Sequence, residues 1–442
     1  MQKQKTLAKW LAIILLCSIA VGSYVLYDAL YLDKDNNQAT AVGGSGNDGK
    51  TDGEQTEGNE HQPYYTMLPR KAEKIDGISV THFGGESDDT LQGVIKYADK
   101  RFCVFSSNSV EFDMREKGLS VALVDDGIEK VTHLTKDGTF VDGKMSSKGV
   151  AILTKSTQES TLFFLDTNCQ IIGKISLPNL SDGLLYLSNG NLYLFAVLDG
   201  FLTVMKIHDN MTVTKSPFII ETTHDYIEQI FEYKDGYVLI ASDKTSLSIF
   251  TFDTNNGFRQ TFSQYKLSFK QIITAGTKTE SNYILYGTLK GEPWLYAFDN
   301  DLDMLSSKKV DGVTDGIILP HADGLLFVGN GVTKSYCKHL DEVLSSSNDF
   351  TFETVAHLTP GNGGIFALTT NSKNHKQIVY IDGEITLVKD LDFDVDLVGL
   401  YSQNYGFSLA VNTSSTTGIF RANFGGYDPF ILDFDFSFLL ET

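Results

Sequence analysis

Residues Gly43 to Thr51, GGSGNDGKT, satisfy G-x-x-x-x-G-K-[ST], the pattern in which glycine amides and a lysine cradle the phosphates of a nucleotide. That chemistry needs a strand before the loop and a helix after it, so that backbone N–H groups and the helix dipole converge on the anion. Here a polar tract precedes the match, and the residues that follow, TDGEQTEGNEHQ, cannot open a packed helix. The flanking carboxylates would also repel a polyphosphate. The stretch is read as linker, and no nucleotide is expected.

Two other stretches place carboxylates at short intervals. Asp390, Asp392, Asp394 and Asp396 alternate in DLDFDVDL. On a strand they share one face about 7 Å apart, whereas a calcium site needs oxygens converging from a curved loop. The run is therefore expected to be a charged outer edge that discourages edge-to-edge pairing, with LDFDF at 432–436 repeating the device. Asp299, Asp301 and Asp303 begin a D-x-D-x-D run, but Met304 and Val310 stand where the EF-hand needs Gly and Glu. His82, His133, His208, His224, His321, His339, His357 and His375 are scattered, with no H-E-x-x-H among them. His224 and His321 fall at or near connections between repeats, where ligand contacts are placed in ring-shaped repeat folds. Cys103, Cys169 and Cys337 are widely spaced without a CxxC, which argues against a zinc site or disulfide framework and for buried thiols. Sequons stand at Asn179, Asn210 and Asn412. No catalytic, cofactor-binding or metal-ligating residue is assigned, and no cofactor is implied.

Elements must position whatever does act, and composition bounds them. The 442 residues carry 56 acids against 36 bases, a formal charge of -20, which disfavours nucleic acid as a partner. Twenty-nine Phe and 20 Tyr, with only 8 Pro, lean towards strands and supply a substantial core. Near the N-terminus, Lys3, Lys5 and Lys9 precede an uncharged apolar segment from Trp10 to Tyr27, and Asp28 follows it. Eighteen such residues suffice to cross a bilayer core. The positive-inside rule then gives a cytoplasmic tail at 1–9, a transmembrane signal anchor at 10–30 and an extracytoplasmic remainder. A cleaved signal peptide ending near Ala20-Val21-Gly22 is the alternative. Residues 31–62 are acidic, Gly-rich and nearly free of apolar side chains, the composition of a disordered linker.

From residue 63 onward one grammar recurs: an apolar strand, a loop, a second strand, then a turn bearing Asp or Asn. The turn acids Asp125, Asp166, Asp209, Asp253, Asp299, Asp341 and Asp382 are 41 to 46 residues apart, and an eighth unit follows with Asn423-Phe424-Gly425 at its turn. The first strands (GVAILT, NLYLFAV, GYVLIAS, NYILYG, GLLFVG, GIFALT, GFSLAV) are near-continuous apolar runs, suited to burial on both faces. No sustained helical periodicity competes. The turn acids are expected to bond their own backbone. The region from about 75 to 438 thus resembles a β-propeller, in the manner of diverged bacterial repeat propellers, because a period near 42 with about four short strands per unit is a blade signature. The resemblance rests on period and not on a family motif. It implies an all-β ring of about eight blades, or seven if one unit belongs to a closing element, with GISVTHF at 77–83 as a candidate closing strand. The expected function is a membrane-anchored, extracytoplasmic binding or scaffold module for a protein, peptide or glycan. Its contacts would come from loops such as 106–117 and 371–376. An exported hydrolase or lyase acting on cell-surface polymers, and an envelope assembly factor, are the alternatives.

Overall fold

The computed structural model describes most of residues 70–440; residues 1–69, 108–117, 441–442 and several inter-strand connections lie outside it. The anchor and linker expected at 10–62 therefore fall outside the described residues. Among the described residues no helix is long and apolar enough to cross a membrane.

Eight antiparallel sheets of four or five strands form among the described residues. Their innermost strands are Thr90–Tyr97, Thr139–Ser146, Leu180–Ser188, Tyr226–Tyr233, Gln271–Lys278, Ile317–His321, Thr354–Pro360 and Asp396–Gln403. Each of these strands lies against the innermost strand of the next sheet, and the eighth returns to the first, so the sheets close a ring. We number the sheets first to eighth in this order. Each described turn acid lies in a different sheet, at or beside the hairpin joining its last two strands; Asp382 and Asn423-Phe424-Gly425 are outside the described residues.

The apolar runs become the second strand of each sheet. Gly406–Thr413 is buried along its whole length, because a blade's middle strands are covered by a sheet on either side. The core accordingly lies between sheets. Phe102, Val104, Leu119 and Val121 of the first, for example, pack on Val150, Ile152, Phe163 and Leu165 of the second. Burying such faces, at roughly 25 cal/mol per Å², is the main force holding neighbours together.

A hydrogen bond recurs between neighbouring sheets. The innermost strands of every sheet but the sixth carry a β-bulge near their start, and in four of them the apolar residue before it donates its backbone N–H to a polar side chain of the preceding sheet. Phe140 donates to Gln92 Oε1 (2.8 Å), Leu180 to Ser160 Oγ (3.2 Å) and Ile227 to Asp182 Oδ2 (2.7 Å). Leu91 of the first sheet donates to Asn412 Oδ1 of the eighth (2.7 Å), while Asn412 Nδ2 donates back to the Leu91 carbonyl (3.1 Å). Asn412 is buried and fully engaged, so in the folded ring this sequon is a closing bond.

Asp166 and Asp299 each accept two backbone N–H bonds of their own turn, as expected. Asp209 and Asp341 do not occupy the equivalent position; His208 and Cys337 do, because they open the same backbone turn. Three residues on, Cys169, Met211, Leu302 and Leu340 sit in the left-handed region, with φ of 60 to 67. An apolar side chain there is strained. Burial repays it: Cys169, Leu302 and Leu340 each plug the gap to the preceding sheet, and Met211 packs at the edge of another such gap.

Three strand expectations need correction. DLDFDVDL is not one strand: Asp390 ends the outer strand Thr386–Asp390 of the seventh sheet, and Asp396 begins the innermost strand of the eighth. LDFDF is not an outer edge, because Asp428–Asp435 runs between Gly406–Thr413 and Ile78–His82. Within the eighth unit, Gly418–Phe420 forms a 3₁₀ turn, and Asp428–Asp435 is the strand that pairs with Gly406–Thr413. The edges are instead managed by bulges in the outer strands, at residues such as Ile172 and Leu305. The exposed Lys174 on one such outer strand assists them.

The ring closes as expected at 77–83: Ile78–His82 pairs antiparallel with Asp428–Asp435, with Val80 opposite Leu432. Glu73–Ile75 adds outside it through a hairpin whose corner, Asp76-Gly77, has φ of 50 and 81, which favours glycine at the second position. Arg70–Lys71 pairs with the outer strand of the first sheet. The first described residues therefore strap the outer edges of two neighbouring sheets.

Candidate functional site

The eighth, closing sheet departs from the repeat in two ways, and both bring polar side chains together. The first is its seam with the first sheet. Arg101, at the start of Lys100–Ser107, grips Asp433 with both terminal nitrogens, Nη2 donating to Oδ2 at 2.9 Å. Its Nη1 also donates to Ser408 Oγ at 3.2 Å. Ser408 Oγ (2.6 Å) and Gln403 Nε2 (2.8 Å) donate to the same carboxylate. Burial by itself would lower the Arg101 guanidinium, but Asp433 more than offsets it and the net shift is upward. Within the closing sheet, His82 Nε2 lies 2.9 Å from Asp428 Oδ2, both side chains being buried, and the imidazole stacks on Phe430. Gly84 sits against Asp428 so closely that a Cβ there would meet its Cγ at 2.2 Å. Burial pushes the thiol of Cys103, in the same seam, up to about 12.

The second departure is a cleft of about 550 Å³ on the other side of the closing sheet, towards the seventh. Ordinary second-to-third-strand connections are short, such as 156–159 and 199–200, whereas the equivalent connection in the closing sheet runs from 414 to 427. Connections of that length inside a repeat are commonly functional. Its first residues, Ser414, Ser415 and Thr417, with Thr413, form a belt of hydroxyls along one wall. Thr413 Oγ1 accepts from the Ser415 amide (3.1 Å) and Ser415 Oγ from the Thr417 amide (3.5 Å). The Ser415 and Thr417 hydroxyls lie 3.4 Å from one another. Gly418 follows at φ 60, with open space where a Cβ would be. Ile78, Leu391, Ile419, Phe420 and Phe438 make the apolar floor. Phe438 belongs to the C-terminal 3₁₀ turn Phe436–Leu439, capped by Asp435. At the rim stand Asp76, Asp390 and Lys389; Gln377 Nε2 donates to Asp390 Oδ1 (2.6 Å), and the Lys389 ammonium is 5.2 Å from the Phe438 ring centre.

The arrangement can bind, since it offers donors, acceptors and an apolar floor around a volume suited to a small ligand. Among the described residues no group of three His, Cys, Asp or Glu side chains is placed to hold a metal ion. The scattered residues are spread over the ring. His133 faces Ser120 Oγ at 3.4 Å, and burial together with Lys136 lowers its pKa. His208 Nε2 meets Thr214 Oγ1 at 2.7 Å, and His339 is exposed. Cys169 is buried, its thiol pushed up to about 12, and Cys337 is half-buried. His224, His375 and loop 371–376 lie at least in part outside the described residues, as does 108–117 of the other expected contact loop. Of the carboxylate run, only Asp390 reaches the cleft; Asp396 instead accepts from the Tyr427 hydroxyl. Sequence reasoning missed the hydroxyl belt, although TSSTTG at 413–418, too polar for a buried strand, was its signal.

No family model matches the chain, and no curated protein sequence does. Solved structures do. The crystal structure of BamB from Moraxella catarrhalis aligns with a TM-score of 0.51 at 12% identity, covering 82% of this chain and 100% of that one. The Dos1 propeller aligns at 0.53 and 10% identity, covering 80% and 94%. The fold is a β-propeller. At such identities the likeness extends to the fold and no further, so function has to be argued from the site.

Proposed function

We propose that this chain is a membrane-anchored, extracytoplasmic propeller of eight blades, one per sheet, that serves as a binding or scaffold module. The cleft beside its closing sheet is the ligand contact. The observation that carries this reading is the long connection 414–427. It is longer than the equivalent connection of any other sheet, 108–117 of the first included, and its described residues place a polar wall beside an apolar floor. A rigid ring of stacked sheets is suited to presenting such a surface, and the basic-then-apolar segment at residues 1–30 supports anchoring with the ring exported. The net charge of -20 supports a partner that is not itself strongly anionic.

The test is a photo-crosslinking residue at position 414 of the full chain in its native membrane, with the same residue at Gln158 in an ordinary connection. A discrete adduct at 414 and none at 158 is expected; identical patterns at both positions would remove the support for the cleft. Exported-phosphatase fusions after residue 62 and before residue 10 test the orientation, with activity expected only for the former.

A further inference from the structure

Resting on the reading of the cleft as a ligand contact, we infer that its ligand is a short uncharged saccharide. Three ligand chemistries can be weighed against the groups that line it. A phosphorylated or uronic-acid ligand would meet the carboxylates of Asp76 and Asp390 on a protein of net charge -20. A polybasic peptide would find those acids but would also face the Lys389 ammonium, beside Asp390 and above Phe438. An uncharged polyol meets neither conflict. It can donate hydroxyl protons to Asp76 and Asp390 and accept from Lys389, Ser415 and Thr417. Ring C–H groups would lie over Ile419 at the floor, beside the Phe438 ring that Lys389 covers.

The geometry adds to this. Asp390 is oriented by the Gln377 amide on one oxygen, which leaves its other oxygen for a ligand hydroxyl. Backbone amides donate to the hydroxyl oxygens of Thr413 (3.1 Å) and Ser415 (3.5 Å), and the Ser415 and Thr417 hydroxyls lie 3.4 Å apart. Ser415 and Thr417 thus set two hydroxyls side by side on the wall, a pairing suited to neighbouring hydroxyls of a sugar ring. A space of about 550 Å³ falls within the range of about 300–1,000 Å³ typical of small-ligand pockets.

The experiment titrates the full chain in detergent with maltotriose, cellotriose and N,N′,N″-triacetylchitotriose, followed by saturation-transfer NMR and calorimetry. Trilysine and trigalacturonate are the charged controls. At least one uncharged trisaccharide is expected to bind, with Asp390→Asn and Thr417→Ala each weakening it by about tenfold, the worth of one hydrogen bond to a charged or well-placed group. The inference is overturned if no uncharged sugar binds at about 10 mM, roughly the weakest affinity worth calling specific. It is equally overturned if binding survives both substitutions, or if a charged control binds more tightly. Crosslinking at position 414 to a protein, with no sugar bound, would overturn the saccharide while leaving the cleft as a contact. Loss of both would remove the cleft altogether.

Discussion

Two junctions in this ring do the same job with different chemistry. Between the fourth and fifth sheets the gap is filled by apolar side chains, with Leu302 held at φ 67 as a plug. At the seam between the eighth and first sheets, a guanidinium, a carboxylate, a hydroxyl and an amide meet around Asp433. A second acid, Asp428, holds His82 on the closing strand. The difference follows from connectivity. Ordinary neighbours are consecutive in sequence and join through apolar faces with isolated bonds to a backbone group, such as the Tyr283 hydroxyl to the Glu232 carbonyl (2.9 Å), rather than through a paired charge. The seam has to recognise its partner across the whole chain, and a one-residue slip of Ile78–His82 would turn its apolar side outward. Directional charged bonds penalise such a slip more sharply than apolar contact does.

Substitutions at the two junctions should separate them. Arg101→Met leaves Asp433 half-buried without its cation and is expected to cost about 3–5 kcal/mol, read as a lowered denaturation midpoint. Restoring an apolar pair with Arg101→Met and Asp433→Leu should recover most of that loss. If the single variant is as stable as the parent, the seam is held by its apolar contacts alone. Leu302→Ala at the ordinary junction should cost about 3 kcal/mol by leaving a cavity. The two sites then separate by salt: in 1 M salt the Arg101 deficit shrinks while the Leu302 deficit persists. Equal salt dependence would erase the distinction.

Asn412→Ala removes both bonds to Leu91 and is expected to cost about 1–3 kcal/mol, because a buried amide and carbonyl are left unpaired. The smallest effect concerns pH and should not distinguish the regions. Cys103 at the seam and Cys169 at an ordinary junction both have thiols pushed up to about 12 by burial. A folded-state pKa raised above the unfolded one gives stability that is intact below the unfolded value, about 8.5. That stability falls as pH rises towards the folded value, by about 1.4 kcal/mol per thiol per pH unit. Replacing either Cys by Ala should flatten the alkaline limb equally. Likewise neither should react with a thiol reagent at neutral pH before Cys337 does.

The sequence made the repeat readable because a strand buried on both faces must be apolar throughout, and GVAILT or GFSLAV can be little else. The closing strand was readable for the same reason, as GISVTHF has no partner within its own unit. The turn register was not. Acids mark turns only where they bond their own backbone, as Asp166 does, and His208 or Cys337 can open the same turn without one. The seam was invisible because its partners, Arg101 and Asp433, lie 332 residues apart and each looks like an ordinary charged residue. LDFDF misled for a related reason: alternating acids look the same on a free edge and on a strand whose carboxylates meet an arginine. The cleft was hidden because TSSTTG has the composition of any exposed loop, and only the fold places Asp76 and Lys389 opposite it.

On the proposed reading the closing sheet's long connection serves binding, while the seam serves closure. Ser414→Arg combined with Thr417→Arg fills the cleft from two exposed positions and should leave the melting temperature of the full chain within about 2 °C, as surface changes do. In the same preparation, ligand capture at the cleft should be lost. A matching Gln158→Arg change in the ordinary connection should alter neither. Undiminished capture by the double variant would contradict the account, as would a fall in melting temperature comparable to that of Arg101→Met.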